Sequence, residues 1–121
     1  MKILVADDSK AMRMIVVRTL RQAGLNGHEI VEATNGREAL DLVKSVKPDL
    51  ILSDWNMPEM TGIEFLRALR ASGSLTPFCF VTSEGSEEMR ALASQAGALG
   101  LIAKPFTAEL FMETLGSVVS A

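Results

Sequence analysis

Five short aliphatic runs punctuate the chain, and each is followed by a stretch whose apolar positions recur at the three-to-four-residue spacing of a helix. The first run, Ile3-Leu4-Val5-Ala6, stops at Asp7-Asp8. Ser9 then stands where an N-cap belongs, ahead of a helix with Met12, Ile15, Val16, Leu20 and Ala23 on one face and Gly24 at its end. A weaker run spans His28 to Ala33, and a helix from Gly36 to Val46 puts Ala39, Leu40 and Val43 at core spacing before Pro48 resets the chain. The third run, Leu50-Ile51-Leu52, breaks off at Ser53-Asp54. Proline and glycine in the following loop predict irregular backbone before a helix from Ile63 to Ala71 that carries Phe65, Leu66 and Leu69. Phe78 to Thr82 is the fourth run, followed by a helix from Glu87 to Ala96 that Gly97 caps. The fifth, Leu101-Ile102-Ala103, leads into Lys104-Pro105, and Ala108 to Val119 closes the chain as a helix with Leu110, Phe111, Leu115, Val118 and Val119 as its apolar members.

Strict alternation with short links predicts a parallel sheet, because parallel neighbours require crossovers and helices supply them. Right-handed crossovers cover both faces, and near-continuous apolar strands agree with burial on both sides. The expected fold class is therefore α/β: a doubly wound five-stranded parallel sheet with five helices.

Composition narrows the picture. A chain of 121 residues suits one domain, residues 1–121, and 48% hydrophobic residues supply its core. No apolar run approaches the roughly 18 residues of a membrane span, and the start turns acidic too soon for a signal peptide, so a cytoplasmic protein with no membrane insertion is expected. One cysteine, Cys79, and one histidine, His28, cannot build a soft-metal site, which needs about four ligands. Cys79 reads as a core thiol and His28 as a surface or strand residue. A formal net charge of −3 argues against direct nucleic-acid binding.

The polar residues that end the runs suggest chemistry. Asp7 and Asp8 follow the first run, Asp54 the third, Thr82 the fourth and Lys104 the fifth. In a parallel sheet these ends share one edge, and ligands bind outside the carboxyl ends where the winding reverses. Crowded carboxylates repel and call for a cation, and a hard divalent ion such as Mg²⁺ needs only two or three protein oxygens while retaining open positions. Asp54 could then attack phosphorus in line, with the metal, Lys104 and Thr82 meeting the equatorial oxygens. Taken singly, each aspartate could also be a helix cap or a loop solvator.

Asp7-Asp8, the stretch Asp54-Trp55-Asn56-Met57-Pro58, Val81-Thr82-Ser83-Glu84 and Lys104-Pro105-Phe106 together resemble the signature of bacterial two-component response-regulator receiver domains, especially stand-alone chemotaxis receivers of the CheY type. The resemblance covers essentially the whole chain. It implies a flavodoxin-like fold with strand order 2-1-3-4-5 and phosphorylation of Asp54. It also implies Mg²⁺ held by Asp8, Asp54 and the Asn56 carbonyl, with Asp7 acting through water. Lys104 would contact the phosphoryl group, Thr82 would bond one of its oxygens and draw in the following loop, and the Lys104-Pro105 bond would be cis. Asn56 and Glu84 occupy positions that tune phosphoryl lifetime in the family, although surface polarity explains them too. Trp55 and Met57 are either partner contacts or lids on the pocket.

The chain departs from the pattern at Leu101, three residues before Lys104, where receivers usually carry Tyr or Phe; it contains no tyrosine at all. A weaker or differently transmitted switch is expected. The implied partners are a histidine kinase, a phosphatase and a downstream protein such as a flagellar motor switch protein, with the chain itself monomeric. No turnover of an external substrate is expected, and with no output domain the response would pass through another protein. Other readings remain: a phosphorelay intermediate, a Mg²⁺-dependent aspartyl phosphatase, whose DxDx[TV] pattern Asp54-Trp55-Asn56 does not match, and a flavin or nucleotide carrier, for which the glycine-rich phosphate loops are missing.

Overall fold

The computed structural model describes residues 1–24 and 28–119. Its strands are β1 (Lys2–Ala6), β2 (Glu29–Ala33), β3 (Leu50–Ser53), β4 (Phe78–Thr82) and β5 (Gly100–Ala103), and its helices are α1 (Lys10–Gln22), α2 (Gly36–Val46), α3 (Gly62–Ala71), α4 (Glu87–Gln95) and α5 (Ala108–Val119). All neighbouring strands pair in parallel, in the order β2-β1-β3-β4-β5. The winding reverses between β1 and β3, whose register sets Ala6 beside Ser53. Asp7 and Asp54 therefore leave the sheet side by side.

Successive strand residues point to opposite faces. On one face Leu4, Ile51, Phe78, Phe80 and Leu101 join Ala39 of α2, Phe65, Leu66 and Leu69 of α3 and Ala93 of α4. On the other, Ile3, Val5, Leu50, Leu52, Cys79, Val81 and Ile102 meet Val16 and Leu20 of α1 and Phe111 and Leu115 of α5. The two-sided burial expected from the aliphatic runs is thus realised. Cys79 is fully buried, and desolvation pushes its thiol up to about 12, as a core residue requires.

Helix ends follow the anticipated chemistry. The hydroxyl of Ser9 accepts from the Met12 amide, and Gly24 takes the left-handed φ of 90° that ends α1. Thr61 and Glu64 form a reciprocal capping box on α3, and Glu87 and Glu88 occupy the first turn of α4, where carboxylates offset the helix dipole. One face assignment changes. Ile15, expected in the core, is 41% exposed, whereas Thr19 is buried because its hydroxyl donates to the Ile15 carbonyl at 2.8 Å and needs no other partner. Leu110 and Val118 pack partly buried against their cluster, while the side chain of Val119 lies outside the described residues.

Candidate functional site

Two of the three acidic residues at the carboxyl edge, Asp7 and Asp54, are held by backbone. The Asp7 amide donates to the Ala33 carbonyl of β2 at 3.0 Å, and its carboxylate accepts from the Ser9 amide at 2.8 Å. The Asp54 amide donates to the Ala6 carbonyl at 2.9 Å, and its carboxylate accepts from the Trp55 amide at 2.7 Å. Asp8 is exposed and completes the group: one oxygen from each of Asp7, Asp8 and Asp54 lies within 4.8 Å of the others.

The electrostatics are those of a site short of positive charge. Asp7 is only 3% exposed, and burial, opposed by the Ser9 amide and reinforced by the charges of Asp54 and Asp8, raises its carboxyl to about 6. Asp54 is raised as well, mainly by burial. The Trp55 amide and Thr82 hydroxyl oppose that rise, Asp8 adds to it, and the Asn56 amide opposes it. Three oxygen donors crowded together, two of them made more basic than usual by burial and mutual repulsion, fit a small hard divalent cation and suit no soft metal.

The other half of the edge is less assembled. Thr82 is 1% exposed, and its hydroxyl accepts from the Glu84 amide at 3.4 Å while facing closely enough to favour ionised Asp54. Lys104 is exposed; its amide donates to the Thr82 carbonyl at 3.0 Å, and its ammonium makes no ion pair within 4.0 Å of Asp54. The Lys104-Pro105 peptide is cis. Asn56 and Glu84 are exposed near the rim, and Leu101 is buried at 8% exposure in the core beneath. Of the two residues after Asp54 left open between lid and partner contact, Met57 is buried and Trp55 half-buried, its ring 4.7 Å from that of Phe80. Both line the protein side of the loop.

Two kinds of residue escape a reading based on functional groups. Gly62 has no side chain because a β-carbon there would overlap the Asp54 carbonyl oxygen, and its amide donates to the Trp55 carbonyl at 2.8 Å. Gly36 likewise lets the Met60 carbonyl approach, and its amide donates to that carbonyl at 3.1 Å. These contacts tie the loop after Asp54 to the first residues of α3 and α2. Arg13 is the second kind. Its guanidinium donates to the Asp7 carbonyl at 2.7 Å and pairs with Glu32 of β2 at 2.8 Å, fixing the acidic corner from α1. The i+4 spacing from Ser9 was the available signal, but nothing in a linear sequence ties Arg13 to Glu32.

A doubly wound sheet with an acidic cluster at its switch point and a threonine and a lysine on the adjoining strand ends defines a receiver. The family model for the response regulator receiver domain matches residues 3–116, and the chain belongs to that family. Among named relatives it is similar to the chemotaxis protein CheY of Pseudomonas aeruginosa, at 41% identity over 120 residues covering 98% of this chain and 95% of the relative. It is 42% identical to chemotaxis protein CheY-3 of Vibrio cholerae, covering 98% of this chain and 91% of that one. In three dimensions it matches chemotaxis protein CheY4 of Vibrio cholerae with a TM-score of 0.83 at 40% identity, over 97% of both chains. It matches the receiver domain of Francisella response regulator 1452 with a TM-score of 0.85 at 28% identity, over 98% of this chain and 96% of that one. The chain is thus a CheY-type receiver domain, a signalling switch of a class that binds Mg²⁺ in an acidic pocket. No helix among the described residues is long and apolar enough to cross a membrane.

Proposed function

We propose that residues 1–121 form a single receiver domain in which Asp54 accepts a phosphoryl group from a histidine kinase. The observation that carries this is the meeting of Asp7, Asp8 and Asp54 within 4.8 Å at the sheet's switch point, beside the buried hydroxyl of Thr82. Asp8, Asp54 and the Asn56 carbonyl would hold Mg²⁺, with Asp7 acting through water, and the ion would supply charge to shield the carboxylates and the incoming phosphoryl oxygens. An oxygen of Asp54 attacks phosphorus; the bond from phosphorus to the kinase's imidazole nitrogen breaks, and that nitrogen keeps the electron pair. Lys104 swings in to pair with one phosphoryl oxygen and Thr82 donates its hydroxyl to another. Asn56 and Glu84 at the rim tune how readily water or a phosphatase reaches the acyl phosphate.

The names of the relatives support a role in chemotaxis. In this reading the chain acts as a monomeric, cytoplasmic regulator on a downstream protein such as a flagellar motor switch protein. Phosphorylation changes affinity for that target only so far as the contacts differ between the two states, and no external substrate is turned over. Incubation with Mg²⁺ and acetyl phosphate is expected to give one hydroxylamine-labile adduct at Asp54, lost in Asp54→Asn. An adduct mapping elsewhere, or undiminished in the variant, would reject the assignment.

A further inference from the structure

Thr82 ends β4, and residues 83–86 lead from it to Ser86, the N-cap of α4. The Glu84 amide donates to the Thr82 hydroxyl, so the start of this segment is tied to the side chain proposed to move towards phosphate. Its middle lies against β5: a β-carbon built on Gly85 would sit 2.7 Å from the Ala103 Cβ and 3.6 Å from Leu101 Cδ2. Across this junction reaches Arg90 of α4. Its Nη1 donates to the Leu101 carbonyl at 2.9 Å and its Nε to the Gly85 carbonyl at 3.4 Å. A guanidinium holds its donors in one rigid plane and can therefore set the separation of two carbonyls, which a lysine ammonium cannot do.

The two bonds differ in strength and in what anchors them. The Leu101 carbonyl belongs to a sheet strand, and its bond is short. The Gly85 carbonyl belongs to an exposed connecting segment, and its bond is near the length at which hydrogen bonding fades. The Leu101 side chain is aliphatic and offers no hydrogen bond of its own, so the polar connection between the 83–86 segment and β5 at this point runs through Arg90.

We propose that Arg90 is a positioning residue of the switch: it clasps the 83–86 segment to β5, and movement of Thr82 towards a phosphoryl group on Asp54 releases Gly85 from the guanidinium while Leu101 is kept. This rests on Asp54 being the phosphoryl acceptor. The glycine at position 85 is part of the device, because any side chain there would push the segment off Ala103 and lengthen the weaker bond first.

The test is NMR of the full chain with Mg²⁺, before and after beryllium fluoride, read at backbone amides and at the arginine Nε–H groups. In the native sequence the Arg90 Nε–H signal moves towards its solvent-exposed position and exchanges faster by about fivefold or more. In Arg90→Ala the beryllium fluoride shifts at Asp54 and Thr82 keep their size, while those at Leu101, Ala103 and along α5 fall by about half or more. Arg90→Lys, which keeps the charge but holds only one carbonyl, behaves like the alanine variant. Shifts of native size through β5 and α5 in either variant, or an unmoved Arg90 Nε–H signal in the native protein, overturn the clasp. Absence of any shift at Asp54 in the native protein overturns the phosphoryl-acceptor reading itself, and is told apart because it is read in the pocket and not at Arg90.

Discussion

The two halves of the carboxyl edge are built to different degrees. On the β1–β3 side, Asp7 and Asp54 are tied by backbone to neighbouring strands, their carboxylates accept amides at 2.8 and 2.7 Å, and Gly62, Gly36 and Arg13 brace the loops from below. On the β4–β5 side, the buried Thr82 hydroxyl accepts from the Glu84 amide at 3.4 Å and faces Asp54, Lys104 is exposed and makes no ion pair with Asp54, and the Gly85 carbonyl accepts from Arg90 at only 3.4 Å. The half that must concentrate negative charge is assembled by folding itself. On the proposed function, the half that responds to a new anion is left for that anion to assemble, and binding energy can then be converted into movement.

The largest effect expected on the rigid half is from Gly62→Ala. A β-carbon in contact with the Asp54 carbonyl oxygen forces backbone apart, at a cost of about 3 kcal/mol in urea unfolding. A loss below about 0.5 kcal/mol would show that the loop yields and that the two halves are equally soft. On the responsive half, Lys104→Ala is expected to slow phosphoryl uptake from acetyl phosphate about 100-fold, equivalent to roughly 2.7 kcal/mol, while leaving Mg²⁺ affinity within about twofold. Fluorescence of Trp55, the chain's single tryptophan and next to Asp54, is the expected readout of Mg²⁺ binding, and a parallel loss of Mg²⁺ affinity would mean that the halves are not separable.

Asp7→Asn is expected to stabilise the metal-free protein at pH 7 by about 1–2 kcal/mol, within the roughly 3 kcal/mol that its raised pKa allows. The sign follows from the direction of the shift. A carboxyl raised from 3.8 to about 6 by burial favours folding only while protonated, so its contribution is full below about 4 and is lost as pH rises through 6. Added Mg²⁺ is expected to stabilise the native sequence more than the variant in that window, because the variant keeps Asp8, Asp54 and the Asn56 carbonyl but lacks the third carboxylate charge that the cation offsets. Denaturant midpoints measured from pH 4 to 8 check both statements; a variant no more stable than the native protein at pH 7 would remove the case for a destabilising buried charge at Asp7. The smallest effect is expected at Glu84→Ala. With its side chain exposed on the responsive segment, stability changes by less than about 0.5 kcal/mol, whereas the lifetime of the phosphorylated form, followed by phosphate release, shifts several-fold.

Most of the framework was legible from local chemistry. Aliphatic runs broken by aspartate, threonine or lysine predicted all five strands and the residues at their ends, and Ser9 and Gly24 bounded α1 as expected. Ile15 was misread because period alone cannot say how wide the buried stripe of α1 is: α5 and the sheet cover Val16 and Leu20 but leave Ile15 and Met14 in solvent. Gly62 was legible only as a loop glycine, and Arg90 carried no signal in the linear chain. A glycine required by a distant carbonyl looks like any loop glycine, and an arginine that holds two carbonyls looks like a solvated charge.

The sequence by itself determined which segments are strands and helices, and which oxygen-bearing side chains stand at the strand ends, because both depend on neighbours a few residues away. Only the tertiary structure decided that Asp7, Asp8 and Asp54 share 4.8 Å while Lys104 stays apart. It alone decided that Arg90 joins segments 16 residues apart in sequence, from Gly85 to Leu101. Those relations depend on strand order and on the paths of connecting loops, where a change of a single ångström separates a hydrogen bond from open water.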